Sequence, residues 1–288
     1  MSMTPAALKA RIAAARAKRD LAPRPQNDGD NDPTTFASRR SAFRHDPNGT
    51  FVPGDESDCV IARQGHLVRK AGRRVRQEEG RALQIAYKSQ LPVPAVHELT
   101  TSASGTDILM DFVEGECLEE AWPNMTEGEK TSIAKQLGGI VTRMRQVTPN
   151  QREISAFGSP IRDLRRFSDY NGGPFQTEEE FNEFVVDLYQ LTPSLIRSAL
   201  STSLPNDSRI VLSHCDLSPR NIIVREGRIE ALLDWEYAGW YPEYWEYVKF
   251  FDRTTSCQDW KHFAEHVFDV QYPRELLAYQ AILRWQQQ

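Results

Sequence analysis

The chain has 288 residues, 40% of them hydrophobic, which allows one large or two modest domains with their own core. A net charge of −5, from 40 acidic against 35 basic residues, argues against a general nucleic-acid binder. No long uninterrupted apolar run exists, so no transmembrane helix is expected, and Cys59, Cys117, Cys215 and Cys257 form no Cys-x-x-Cys pair, which suits free thiols in a reducing compartment.

Residues 5–20 read PAALKARIAAARAKRD, an Ala-rich helix former with no acid before Asp20. This is the composition of a solvated helical tail. It also fits a mitochondrial presequence, although Ser is lacking and the apolar face is mostly Ala, so a cytoplasmic location is expected with a mitochondrial one as the alternative. Residues 22–34, APRPQNDGDNDPT, bury little apolar surface and read as a disordered linker. Cys59-Val-Ile-Ala62 and His66-Leu-Val-Arg-Lys70 then predict a hairpin turning at Gln64-Gly65. A helix is expected from about Arg73 to Tyr87, stopping before Leu91-Pro-Val-Pro94 because proline forces its predecessor out of the helical region.

Thr106-Asp-Ile-Leu-Met-Asp-Phe-Val113 predicts a strand running into the flexible Glu114-Gly115. Thr126 and Glu129 make a capping box, followed by Ile133, Leu137, Ile140, Val141 and Met144 on one helix face. A second box, Thr177 and Glu180, precedes the stripe Phe181, Phe184, Val185 and Leu188. Between these helices, residues 149–176 hold Arg162, Asp163 and Tyr170 without periodicity and read as an irregular loop.

The most informative stretch is Ile210 to Gly239. Ile210-Val-Leu212 and Ile222-Ile-Val224 read as short strands flanking the polar loop His214-Cys-Asp-Leu-Ser-Pro-Arg-Asn221. Glu226-Gly227 makes a turn, and Ala231-Leu-Leu233 is a third strand ending on Asp234. Asp216, Asn221 and Asp234 are thus hard oxygen donors gathered on adjacent strands, a set that suits Mg²⁺. The spacing His-x-Asp-x-x-x-x-Asn matches the catalytic loop of kinases, where the Asp accepts the substrate hydroxyl proton and the Asn holds a metal. A thiol nucleophile at Cys215 is set aside, since neighbours in extended chain point to opposite faces and Cys215 cannot pair with His214. The aromatic residues from Trp235 to Phe251 read as a helix packed on the core. His262-Phe-Ala-Glu-His266 has a zinc-peptidase pattern, but a third ligand is required and little chain remains, so packed or surface histidines are the better reading.

The catalytic-loop residues, with Asp234-Trp-Glu236 where kinases carry Asp-Phe-Gly, resemble the aminoglycoside phosphotransferase (choline-kinase-like) family. The run from Asp234 to Lys249 looks especially like its fungal members. The resemblance implies a two-lobed, protein-kinase-like α+β fold: a tail over 1–47, a reduced antiparallel sheet lobe over 48–113 and a mainly helical lobe over 114–288. It implies ATP- and Mg²⁺-dependent transfer of a phosphoryl group to a hydroxyl of a small molecule. In that scheme Asp216 takes the hydroxyl proton and His214 braces the loop. Asn221 and Asp234 hold Mg²⁺, with Glu236 assisting a second metal or attracting a cationic acceptor. By the same resemblance Lys70 pairs with phosphates and is held by Glu79, with Glu78 a rival, while the backbone from Met110 to Val113 faces the adenine and the 149–176 insert shapes the acceptor side. The implied partner is a small-molecule acceptor, with no nucleic acid or membrane span, and a monomer or weak dimer. No Gly-x-Gly-x-x-Gly precedes Lys70, and Gly49 and Gly54 sit in an acidic loop, so the alternative is a catalytically weak or inactive protein that binds nucleotide or a partner.

Overall fold

The computed structural model describes residues 59–150, 152–165, 168–188 and 192–286. The expected tail, linker and Gly49–Gly54 loop lie outside the described residues. Strands β1 (Val60–Gln64) and β2 (Leu67–Gly72) pair antiparallel, with Gly65 at φ 63 supplying the left-handed turn that joins them. Helix α1 (Gln77–Lys88) starts later than the pattern suggests. Val75 turns into the core there, and Arg76 is still extended. Strands β3 (Val96–Ser102) and β4 (Gly105–Asp111) complete a four-stranded antiparallel sheet in the order β1-β2-β4-β3. Gly80 lets this sheet come close to α1: a Cβ at that position would lie 2.5 Å from Leu99 Cδ1.

The chain continues through β5 (Glu116–Cys117) and the short α2 (Leu118–Ala121) into α3 (Glu127–Met144). Both halves of the Thr126–Glu129 capping box are present, and the whole apolar stripe of α3 is buried. Gly138 in that helix would place a Cβ 2.5 Å from the His266 carbonyl oxygen, so glycine permits the close packing of α3 on the later helical turn Ala264–Val267.

Residues 149–176 are not an irregular loop. They contain a hairpin, β6 (Ile161–Arg165) and β7 (Ser168–Gly172), paired from Ile161↔Gly172 to Arg165↔Ser168. The alternation that defines β6 is carried by unusual residues, because its buried positions are Ile161, Asp163 and Arg165. Arg165 Nε donates to Asp163 Oδ2 at 2.7 Å, and the fully buried Lys249 ammonium lies 3.0 Å from Asp163 Oδ1. Lys249 Nζ also donates to the Leu164 carbonyl at 2.8 Å and to Asp252 at 2.6 Å. Buried charges with this many partners are tolerated, and a hydropathy pattern cannot show them.

Helices α4 (Glu178–Val186, capped by Thr177 and Glu180) and α5 (Ser194–Ser201) follow. Then come β8 (Ile210–Ser213), β9 (Ile222–Arg225), β10 (Arg228–Leu232) and β11 (Gly239–Pro242). They form a three-stranded sheet β10-β9-β5 and a ladder β11-β8. Helices α6 (Trp245–Asp252), α7 (Ala264–Val267) and α8 (Pro273–Trp285) close the chain. The aromatic stretch after Asp234 divides between β11 and α6, and Trp235, Trp240, Tyr241, Tyr244, Trp245, Tyr247 and Phe250 are all buried. Their role is packing, as expected, but the stretch is not one helix: Trp240 and Tyr241 lie on strand β11 and only the residues from Trp245 on are helical. The result is a two-lobed α+β fold, a small antiparallel sheet with one helix joined to a mainly helical part. A bond from Leu232 N to the Pro92 carbonyl, 2.8 Å, ties the edge of one part to the other.

Candidate active site

Strand β8 delivers the loop His214–Asn221 and β9 carries it away, so the loop is anchored at both ends by buried strands. Its first residue is a brace. The Asp216 backbone N–H donates to His214 Nδ1 at 3.2 Å, which leaves Nε2 protonated to donate to the Leu233 carbonyl at 3.0 Å. Burial keeps this imidazole neutral by lowering its pKa. Leu233 N–H donates in turn to the Asn221 carbonyl at 2.8 Å. Two hydrogen bonds therefore lock the segment bearing Asp234 to the loop bearing Asp216 and Asn221. Cys215 and Asp234 both adopt positive φ, 66 and 61, a sparsely populated state for non-glycine residues that the surrounding bonds hold in place. Burial pushes the Cys215 thiol well up, which removes it as a nucleophile.

The Asp216 carboxylate has two partners. Ser218 Oγ donates to Oδ1, and Arg220 Nη2 donates to Oδ2 at 2.6 Å. Asn221 Nδ2 donates to the Asp216 carbonyl at 3.0 Å, which orients the amide and leaves its Oδ1 for another ligand.

Lys70 reaches this loop from β2. Its Nζ lies 2.7 Å from Glu79 Oε1 and 2.9 Å from Asp234 Oδ1. Glu78 faces away and pairs with Arg76 at 3.3 Å, so the phase of α1 selects Glu79. Burial disfavours the lysine's charge, but Asp234 and Glu79 outweigh it and hold the ammonium well above its usual range. Burial likewise opposes ionisation of Asp234, and Lys70 reverses that, keeping the carboxyl below the usual range. Glu79 is raised, because burial dominates over its single contact with Lys70.

Asp234 Oδ2 has no partner among the described residues, and Asn221 belongs to the same tied unit through its carbonyl bond from Leu233 N–H. No group of three His, Cys, Asp or Glu side chains among the described residues forms a ready-made metal cage. A carboxylate and an amide oxygen fit Mg²⁺, which takes few protein ligands and completes its shell with water and phosphate. Glu236 Oε2 accepts from Arg162 Nη1 at 2.8 Å, and burial, with Asp234 nearby, pushes the carboxyl up to about 7. Met110 lies inside the sheet between Val68 and Val96, whereas the Val113 N–H beyond the strand end has no partner among the described residues. His262 falls in a 3₁₀ turn (Trp260–Phe263) and His266 in α7, so the two do not share one α-helical face.

Residues 38–281 match the phosphotransferase enzyme family. The chain belongs to that family. Among solved structures it is similar to aminoglycoside phosphotransferase APH(4)-Ia, with a TM-score of 0.52 and 17% identity over 82% of this chain and 83% of that one. A thermostable mutant of that enzyme in ternary complex with AMP-PNP and hygromycin B gives a TM-score of 0.53 at 16% identity, again over 82% and 83%. The ternary complex of streptomycin, ATP and APH(2")-IIa gives 0.51 at 14% identity, over 88% of this chain and 87% of that one. No curated protein sequence matches the chain.

In this phosphotransferase-family chain the loop is also held from below. Glu246, in the first turn of α6, is buried and accepts the backbone N–H of His214 and of Cys215. The sequence reading omitted it, although a lone acid between Trp245 and Tyr247 on a core-facing helix is a signal for a buried polar role. Burial outweighs the two N–H donors and pushes Glu246 up to about 7. Folding therefore favours the protonated acid. This stabilisation is complete below the unfolded carboxylate pKa, near 4, and is lost as the pH rises through about 7. Relative to Glu246→Gln, the wild-type chain should lose about 2–3 kcal/mol of stability between about pH 5 and pH 8. Parallel denaturation profiles for the two proteins across that range would show that Glu246 does not titrate there.

The Lys70–Glu79 pair makes a separate prediction. Glu79 is 2% exposed, and its Oε2 has no partner among the described residues. Lys70→Ala would strand that carboxylate, at a cost of roughly 3 kcal/mol. Adding Glu79→Gln should restore most of the stability lost in Lys70→Ala, as thermal melts of the single and double variants would show. A Lys70→Ala protein that melts like the wild type would show that Glu79 does not depend on Lys70.

Proposed function

We propose that the chain is an ATP- and Mg²⁺-dependent phosphotransferase that acts on a hydroxyl of a small molecule. The observation that carries this reading is the tied unit of Asp216, Asn221 and Asp234, with Lys70 inserted 2.9 Å from Asp234 and fixed by Glu79. Lys70 places positive charge where phosphates would lie, and Val113 offers a free backbone donor for an adenine edge. Asn221 Oδ1 and Asp234 would hold Mg²⁺, which would supply positive charge to offset that of the phosphates. Asp216 orients the acceptor hydroxyl and takes its proton as the oxygen bonds to the γ-phosphorus. The bond from that phosphorus to the bridging oxygen breaks, and ADP leaves. His214, bonded on both ring nitrogens and neutral, positions the loop and transfers no proton. Similar structures that carry AMP-PNP with hygromycin B, or ATP with streptomycin, support pairing a nucleotide with a small acceptor here.

The test is Mg²⁺-dependent ADP release across a panel of hydroxylated small molecules. The expected result is release stimulated by at least one acceptor and abolished by chelation of Mg²⁺. Tight Mg·ATP binding with no stimulation by any acceptor would favour a nucleotide-binding protein without catalysis.

A further inference from the structure

The chemistry of the acceptor can be read from the charges around Asp216, provided that the phosphotransfer reading above holds. Arg253 ends α6 and is 4% exposed. Its Nε donates to the Cys215 carbonyl at 2.8 Å, which sets the guanidinium against the backbone immediately before Asp216. Its Nη1 and Nη2 are buried with no hydrogen-bond partner among the described residues. One face is covered by Tyr237, whose ring centroid lies 4.2 Å from Cζ. A buried guanidinium with both terminal nitrogens unpaired is costly, because each lost donor forfeits its full desolvation energy. Burial opposes its charge, and Asp216 is the foremost group that restores it.

Among the described residues, the neighbouring carboxylates of Asp216, Glu236, Asp169 and Asp163 are bonded to other groups. Asp216 is bonded to Arg220 and Ser218. Glu236 and Asp169 both pair with Arg162, at 2.8 and 2.5 Å. Asp163 is shared by Arg165 and Lys249. An amine-rich acceptor would meet the charge of Arg253, which lies against the backbone immediately before Asp216. A carboxylate would instead accept both Nη donors in the end-on bidentate geometry that guanidinium offers.

We propose that the acceptor is a small hydroxylated carboxylate whose carboxylate group is held in the guanidinium plane by Arg253 Nη1 and Nη2, with the Tyr237 ring on the guanidinium face and the acceptor hydroxyl at Asp216. The bound anion satisfies the two orphan donors, and the Asp216–Arg220 pair stays at the transfer point. Arg253 is thus a specificity-determining residue on the acceptor side.

The experiment compares matched acceptors on the full chain: glycerate with glycerol and serinol, and gluconate with glucose and glucosamine. Calorimetric Mg·ATP binding is measured alongside ADP release. The expected result is at least tenfold higher kcat/KM for a carboxylate than for its neutral and amine partners. In Arg253→Lys, which keeps the charge but loses the fork, the carboxylate-to-neutral ratio of kcat/KM should fall at least tenfold, mainly through KM. An equal or greater response to the neutral or amine partners, or Mg·ATP binding with no response to either carboxylate, overturns this inference alone. A uniform loss across all acceptors in Arg253→Lys would reduce the residue to a structural role and overturn it as well. Absence of Mg·ATP binding overturns the phosphotransfer reading and this inference with it.

Discussion

Asp216→Asn is expected to lower kcat by roughly 10²-fold or more while leaving Mg·ATP affinity near the wild-type value. The amide cannot accept the acceptor proton, but it has nearly the same shape. The loop around it is held by bonds that do not involve the carboxylate: His214 to Leu233, Leu233 to Asn221, and Glu246 to the His214 and Cys215 amides. The Asn221 amide is oriented by the Asp216 carbonyl, which the substitution leaves in place. Arg220 loses a charged partner but keeps its bond to the Thr254 carbonyl at 2.7 Å, and it is partly exposed, so the fold is retained. Steady-state turnover beside calorimetry of Mg·ATP binding checks both halves of the expectation. Equal loss of affinity and turnover would mean that Asp216 serves the nucleotide instead of the acceptor.

Removing the carboxylate of Asp234 should have the opposite signature. This residue sits at φ 61, so glycine is the substitution that the backbone accepts most easily. In Asp234→Gly, Lys70 keeps its 2.7 Å bond to Glu79, and the bonds of Leu233 to His214 and Asn221 are main-chain on the Leu233 side. The protein should therefore fold. What disappears is the negative charge beside Asn221 that would hold Mg²⁺, so Mg²⁺-dependent nucleotide affinity should fall by at least about tenfold and transfer should be lost. An affinity that depends on Mg²⁺ as strongly as in the wild type would remove Asp234 from the metal site.

The sequence and the structure agree where local pattern and geometry coincide. The His214–Asn221 loop was legible because three short apolar strands bracket a polar segment, and that alternation dictates where the loop sits. Lys70 and its helix partner came from the family resemblance, which left Glu79 and Glu78 as rivals. Only the phase of α1 separates Glu79 from Glu78, and it does so after Arg76 delays the start of the helix. The β6–β7 hairpin was not legible because its inward residues are Asp163 and Arg165, and the compensating Lys249 lies far along the chain. Glu246 and Arg253 escaped for the same reason: their partners are backbone groups of a loop more than thirty residues earlier. Short-range pattern reports burial of apolar side chains well. It is blind to buried polar groups whose partners come from distant segments.

The measurement that bears most directly on the central claim is ADP release from ATP by the purified chain, with and without Mg²⁺, across hydroxylated small molecules, in parallel with Asp216→Asn. The account predicts Mg²⁺-dependent release that at least one acceptor stimulates, with formation of a phosphorylated product in equal amount, and a roughly 10²-fold slower rate in the variant. Release that is independent of Mg²⁺, or that proceeds equally fast in Asp216→Asn, would contradict it.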